Sequence, residues 1–326
     1  MPLRSRIPQP LRQLRRIAHT RPWSYSQLTA PGRVLPSFLI CGGHRCGTAG
    51  LHRMLAAHPL VLRAARRDGV SFFDASYERG IDWYRGHFPR QRTVRRLQRR
   101  HGGTASAFET SPYYLYHPYA AVRIARDLPD VRLLVLVRDP AARAWSHFRV
   151  ERAAGHEPEP SFARALALES ARLRGQEERL GAEAGYRSFA HQHHAYRQRG
   201  EYAGYLDRLA GQVGRGRIHV VEAERLWATP TEVYAEVLEF LGLPLLGTAP
   251  PAPLDLPGGF TSVGFAPAGV PVGSAPAGVP VGSAPVEPLG ARTRRELSDH
   301  FVPHDAQLAR WLGRPPIWRT PETETP

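Results

Sequence analysis

Residues 38–51 read Phe-Leu-Ile-Cys-Gly-Gly-His-Arg-Cys-Gly-Thr-Ala-Gly-Leu, and their pattern decides the fold. The apolar run Phe38 to Cys41 reads as a buried strand. It enters a turn containing Gly42, Gly43 and Gly47, and a helix is expected beyond, with Leu51, Met54 and Leu55 at helical spacing. Strand, glycine turn and helix N-terminus together make an anion cradle. Backbone N–H groups point outward, the helix dipole favours negative charge, and Arg45 adds a full positive charge. The cradle suits a phosphate.

The nucleoside-triphosphatase loop is G-x-x-x-x-G-K-[ST]. Gly42 and Gly47 have that spacing, but Thr48 stands where the lysine belongs, and the basic residue lies inside the loop at Arg45. A second segment, residues 131–148, reads Val-Arg-Leu-Leu-Val-Leu-Val-Arg-Asp-Pro-Ala-Ala-Arg-Ala-Trp-Ser-His-Phe. Leu133 to Val137 is continuously apolar, as in a parallel strand buried on both faces. Arg138 follows at its carboxyl end, and Pro140 opens a helix, where its missing N–H costs little. Arg143 and Ser146 fall in the first turns, so Arg138 and Ser146 can converge on one phosphate. Arg138-Asp139 also fits a plain strand-end ion pair.

The first segment resembles the 5′-phosphosulfate loop of sulfotransferases that use 3′-phosphoadenosine 5′-phosphosulfate (PAPS), G-x-x-K-x-G-T-[TS]. The second resembles their 3′-phosphate motif, R-[DN]-P-x-x-R-x-x-S. Further stretches fit the same family: Ser71-Phe72-Phe73-Asp74, Asp82-Trp83-Tyr84, His87-Phe88-Pro89, Phe108-Glu109-Thr110-Ser111-Pro112-Tyr113-Tyr114, Gly200-Glu201-Tyr202, Ile218 to Glu222 with Glu224 and Leu226, and the closing Arg292, Leu297, Phe301, Leu308 and Leu312. The pattern is nearest to bacterial members related to heparan sulfate and other carbohydrate sulfotransferases. The resemblance implies a three-layer α/β/α sandwich with a central parallel sheet and a P-loop-like 5′-phosphosulfate loop. It implies PAPS as co-substrate, held by Gly42, Gly43, His44, Arg45, Cys46, Gly47, Thr48, Ala49, Arg138 and Ser146. The implied acceptor is a hydroxyl of a carbohydrate, glycolipid or glycosylated natural product.

The chain departs from the family at three points. Arg45 replaces a lysine and, unlike lysine, keeps its proton. Ala49 and Gly50 stand where hydroxylated residues are usual, which removes two phosphate hydrogen bonds. The catalytic Glu of the heparan-type K-E-x-H-F-F segment is displaced: an ungapped reading puts Gly69 there, and one inserted residue puts Asp68 there. Arg45, Asp68 and Glu109 are therefore the catalytic candidates. Asp68 also fits a turn before Gly69, and Glu109 fits a structural carboxylate. A degenerate PAPS-binding relative with little transfer, and a P-loop kinase or ATPase, are the alternatives. Thr48 after Gly47 argues against the kinase.

The 326 residues suffice for one α/β domain. Net charge is +15, with 44 basic and 29 acidic residues, and every basic residue is arginine. The densest cluster, Arg90 to Arg100, reads as a solvated helix face. No nucleic-acid-binding signature accompanies the charge, so nucleic acid is not an expected partner. A polyanionic donor, a sulfated product or peripheral contact with an anionic membrane surface accounts for it.

Cys41 and Cys46 have poor geometry for a bridge, and the N-terminal residues lack a secretory apolar region. A cytoplasmic enzyme is expected. Residues 1–36 read as a basic flexible arm, with a short amphipathic helix over 11–17, and 37–326 as the catalytic domain. Within that domain lies a low-complexity insertion at about 257–288, containing Ala-Pro-Ala-Gly-Val-Pro-Val-Gly-Ser twice over 266–283. Phe162, Ala165, Leu166 and Glu169 predict a helix inside a helical stretch over 161–210. His191, His193 and His194 lack the i, i+4 spacing of a helical zinc pair, and no carboxylate completes a set in the sequence. No metal is implied.

Overall fold

The computed structural model describes residues 26–66, 69–183, 185–246 and 289–320. Asp68, the 11–17 segment and the tandem repeat lie outside the described residues.

Five strands, β1 (Phe38–Ile40), β2 (Val61–Arg63), β3 (Ser106–Thr110), β4 (Arg132–Val137) and β5 (Ile218–Glu222), form one sheet in the order β2-β3-β1-β4-β5. All four pairings are parallel. The helices of eight residues or more are α1 (Thr48–Ala56), α2 (Gln91–His101), α3 (Ala120–Asp127), α4 (Pro140–Ala153), α5 (Phe162–Leu173), α6 (Tyr202–Val213), α7 (Pro230–Leu241) and α8 (Ala291–Leu312). They flank the sheet in the expected three-layer sandwich.

β1 and Leu133–Val137 of β4 are almost completely buried. Apolar cover on both faces is what a continuous apolar run requires, and each such side chain contributes about 1.5–3 kcal/mol on burial. A second cluster joins Ala144 and Phe148 of α4, Phe162, Ala165 and Leu166 of α5, Tyr196, and Leu297 and Phe301 of α8. Glu169 is buried on the same helix and accepts from the backbone N–H groups of Arg197 and Gln198. The helical reading of 161–210 holds for α5 and α6. Between them the chain makes only short pieces, at Gln176–Ala182 and Phe189–His193.

Two local expectations change. Residues 26–36 are docked rather than a free arm: Ala30 is buried, Arg33 pairs with Arg90 as an isolated bridge, and Arg33 Nη1 donates to the Phe88 carbonyl. Asp139 acts as the N-cap of α4, accepting from the N–H groups of Ala141 and Ala142, rather than as a partner of Arg138. His191, His193 and His194 are buried. The arginine cluster behaves as read: α2 buries only Val94. Cys41 and Cys46 are buried free thiols. Among the described residues no helix is long and apolar enough to cross a membrane.

Candidate active site

The sheet order puts β1 beside β4, so the loops leaving their carboxyl ends are neighbours. In open α/β sheets ligands bind at this position. β1 keeps pairing with β4 past its last strand residue, with Cys41 N–H donating to the Leu134 carbonyl and Gly43 N–H to Leu136. The approach is close enough that a Cβ on Gly42 would sit 2.0 Å from Leu136 N, so this position admits only glycine. The loop then turns through two residues in the left-handed region, Arg45 at φ 72° and Gly47 at φ 81°. Gly47 is the N-cap of α1 and no side chain caps it. Gly50 N–H donates to the Gly47 carbonyl, which leaves the N–H groups of Thr48 and Ala49 for a ligand.

The second motif meets this loop directly. Arg45 Nε donates to Ser146 Oγ at 3.2 Å, and Arg138 Nη1 donates to the Arg45 carbonyl at 3.4 Å. Two residues that are 101 positions apart in the chain therefore touch, and the guanidiniums of Arg45 and Arg138 converge at one mouth. Tyr202 holds the frame: its hydroxyl donates to the Arg138 carbonyl at 2.9 Å and lies 3.6 Å from Cys46 Sγ. Glu224 accepts from Asp139 N–H at 3.0 Å, fixing the turn after β4.

Behind the loop are two buried arginines. Arg143 donates to the Tyr196 carbonyl and leaves Nε and Nη1 without partners among the described residues. Arg199 lies over the Tyr113 and Tyr116 rings, donates to the carbonyls of His191 and Gln192, and places Nη1 3.4 Å from His44 Nδ1. Neither forms an ion pair among the described residues. Buried positive charge without a carboxylate partner is costly, and an anion in the adjoining cradle offsets that cost. The sequence pointed to Arg143 as the second arginine of the 3′-phosphate motif and did not point to Arg199.

His44 is half-buried in the loop. Burial first, and then His147 and Arg199, hold its imidazole well below the usual range, so it is neutral at pH 7. Its ring meets His147 edge-on at 4.9 Å. Behind them Glu151 accepts from Nδ1 of His156 and of His193, each at 2.8 Å. Glu151 is thus the carboxylate partner of His193 that the local sequence around the histidines did not contain.

Trp227 is a site residue that sequence reasoning missed. It lies under the Arg138 guanidinium, 4.9 Å from its ring, and a Cβ on Gly47 would be 3.5 Å from it. Its indole N–H is buried without a partner among the described residues. The only signal was its position immediately after Leu226 in the pattern following β5.

Glu109 is not placed to act as a base. Burial pushes its carboxyl up, yet both oxygens are filled: Oε1 accepts from the hydroxyls of Tyr84 and Tyr114, and Oε2 from Val70 N–H and Ser111 Oγ. Its task is to anchor residues 70–71 to β3. Glu109→Ala is expected to strip one acceptor from four buried donors and destabilise the chain by about 3 kcal/mol or more. A urea titration reads this as a lower midpoint with an unchanged slope. A midpoint equal to that of the wild type would return Glu109 to the list of chemical groups. Asp74, four residues beyond Val70, differs: burial is the main cause that raises its carboxyl to about 7.

Comparison with known proteins follows this geometry. Residues 35–252 match the family model described as "Sulfotransferase domain". The chain is 28% identical to the human "Bifunctional heparan sulfate N-deacetylase/N-sulfotransferase 3" over 64% of the chain and 22% of that protein. It is 30% identical to the mouse "Heparan sulfate glucosamine 3-O-sulfotransferase 3A1" over 70% of the chain and 51% of that protein. The chain thus spans from about a fifth to a half of these curated relatives. A crystal structure of a sulfotransferase from Alicyclobacillus acidocaldarius superposes with a TM-score of 0.60 at 23% identity, covering 88% of this chain and 100% of that one. That likeness is one of fold.

Proposed function

This chain belongs to the sulfotransferase domain family, and from that premise we propose that it transfers a sulfuryl group from PAPS to a hydroxyl of a carbohydrate, glycolipid or glycosylated natural product, releasing adenosine 3′,5′-bisphosphate. The observation that carries this reading is that Arg45, in the loop after β1, donates to Ser146, while Arg138, at the end of the neighbouring β4, donates to the Arg45 carbonyl. One cradle serves the 5′ end of the donor and the other its 3′-phosphate. The names of the similar proteins give heparan sulfate as substrate, sulfated on nitrogen in one and on oxygen in the other, which supports a saccharide acceptor here.

The acceptor oxygen attacks sulfur in line, and the bond from sulfur to the bridging phosphate oxygen breaks. Arg45 and the first-turn N–H groups of α1 oppose the charge that builds on the leaving phosphate. Arg138, over the Trp227 ring, and Ser146 hold the 3′-phosphate, while Arg143 and Arg199 raise the positive potential behind the loop. A base must take the hydroxyl proton. Asp74, whose carboxyl burial raises to about 7, is one candidate for that task at neutral pH, and Asp68 is the candidate that the family pattern points to when read with one inserted residue.

Radiolabelled PAPS with a panel of desulfated glycans and glycolipids tests the reading. Label is expected in a saccharide product together with stoichiometric adenosine 3′,5′-bisphosphate. The rate should fall on an acidic limb near pH 7 that Asp74→Asn removes. Tight bisphosphate binding without transfer to any hydroxyl would favour the degenerate relative instead.

A further inference from the structure

We propose that Glu201, His300 and His304 form a zinc site that ties the last helix to the start of α6. His300 and His304 are four residues apart on α8, which puts both imidazoles on one face of the helix. Glu201 directly precedes Tyr202, the first residue of α6. Nε2 of His300 lies 3.1 Å from Glu201 Oε1, and Nε2 of His304 lies 3.9 Å from the same oxygen. One ligand atom from each of the three lies within 4.8 Å of the other two.

Zinc bonds of about 2.0–2.1 Å in a tetrahedron space their ligand atoms about 3.3 Å apart. The two observed distances bracket that edge. A hydrogen bond accounts for His300 alone; it gives no reason for a second imidazole to turn to the same oxygen. The three side chains are 27–31% exposed, so an ion can enter and a water can complete the fourth position. Two histidines and one carboxylate with an open position is an ordinary zinc ligand set.

His44, His147 and Glu151 form a second group, but the side chains of His147 and Glu151 are closed to solvent, and the group of Glu151, His156 and His193 fits a metal less well. At Glu151 the oxygen is 2.8 Å from two imidazole nitrogens. These are closed hydrogen bonds, shorter than a tetrahedral edge, and the carboxylate is buried.

The position gives the ion a consequence. Phe301, between the two ligands, is fully buried, and a Cβ on Gly200 would be 2.8 Å from its ring and from Pro140. Pro140 starts α4, two residues after Arg138. Zinc at Glu201 therefore clamps α8 onto the end of the structure that carries the second phosphate motif. The site rests on coordination geometry alone and does not depend on the proposed donor or acceptor.

The test uses the untagged full chain, stripped with a chelator and titrated calorimetrically with zinc sulfate, with magnesium as control. One zinc per chain is expected, with a thermal midpoint that rises with zinc concentration. His304→Ala and His300→Ala should each weaken binding at least about tenfold, since losing even the groups behind a ligand costs that much. Because these side chains are partly exposed, the substitutions should leave the far-ultraviolet spectrum unchanged. Cobalt in place of zinc should give the strong visible bands of a tetrahedral site, lost in His304→Ala. Absence of saturable binding overturns the proposal. So does binding that survives both substitutions, or that His193→Ala removes instead, because the ion would then sit at Glu151.

Discussion

Replacing Arg138 by alanine is expected to weaken binding of adenosine 3′,5′-bisphosphate about 100-fold or more. Arg138 leaves the carboxyl end of β4 and lies over Trp227 at 4.9 Å, so its guanidinium is placed before any ligand arrives. A phosphate accepts two bonds from it, each charge-assisted and worth about 1.5–3 kcal/mol. Their sum corresponds to a factor of roughly 10²–10⁴ in affinity. Arg138→Lys should fall between, because an ammonium keeps the charge and loses the two-pronged geometry. Calorimetric titration with the bisphosphate and with ATP checks both points. ATP lacks the 3′-phosphate, so its weak binding should respond little. Unchanged bisphosphate affinity in Arg138→Ala, with the protein folded, would remove the 3′-phosphate assignment and the donor with it.

Arg45→Ala should cost kcat about 10²–10³-fold, the loss seen when one preorganised transition-state donor is deleted. The affected step is departure of the bisphosphate, so KM for the donor should change less than kcat. The backbone supplies an independent control. Arg45 sits at φ 72°, one of two non-glycine described residues in the left-handed region, the other being Ser71. Such strain persists where the surroundings enforce it and clusters at functional loops. Arg45→Gly relieves it, so this variant should melt no lower than the wild type while losing activity as Arg45→Ala does. A glycine variant that keeps its turnover would make Arg45 a loop residue and nothing more.

Much of this site was legible in the chain because its signals are local. An apolar run, a glycine turn and a helical period fall within residues 38–55, and a second run, Arg138 and Pro140 fall within 133–140. Each sets a strand, its exit and the helix that follows through backbone sterics and burial. Roles that depend on a distant partner were not legible. Asp139 is next to Arg138 in sequence, yet it turns to the two N–H groups at the start of α4, which no other group caps. Glu109 matched a family stretch, yet Tyr84, Tyr114, Ser111 and Val70 fill its oxygens. Asp74, three residues past a strained Ser71, owes its raised carboxyl to burial, and burial is not written at a single position.

The sequence by itself determined the strands, the anion cradle and the arginines that face it, because apolar periodicity, glycine at close approaches and proline at a helix start act over a few residues. Only the tertiary structure decided what surrounds them. Sheet order made β1 and β4 neighbours and so joined Arg45 to Ser146. Packing of α8 against α6 brought His300 and His304 to Glu201, which lies about a hundred residues earlier. The close packing behind the loop left Arg143 and Arg199 buried, where a positive charge needs an anion nearby. Those contacts depend on chain segments that meet only after the fold has formed, and the order of residues along the chain carries no local trace of them.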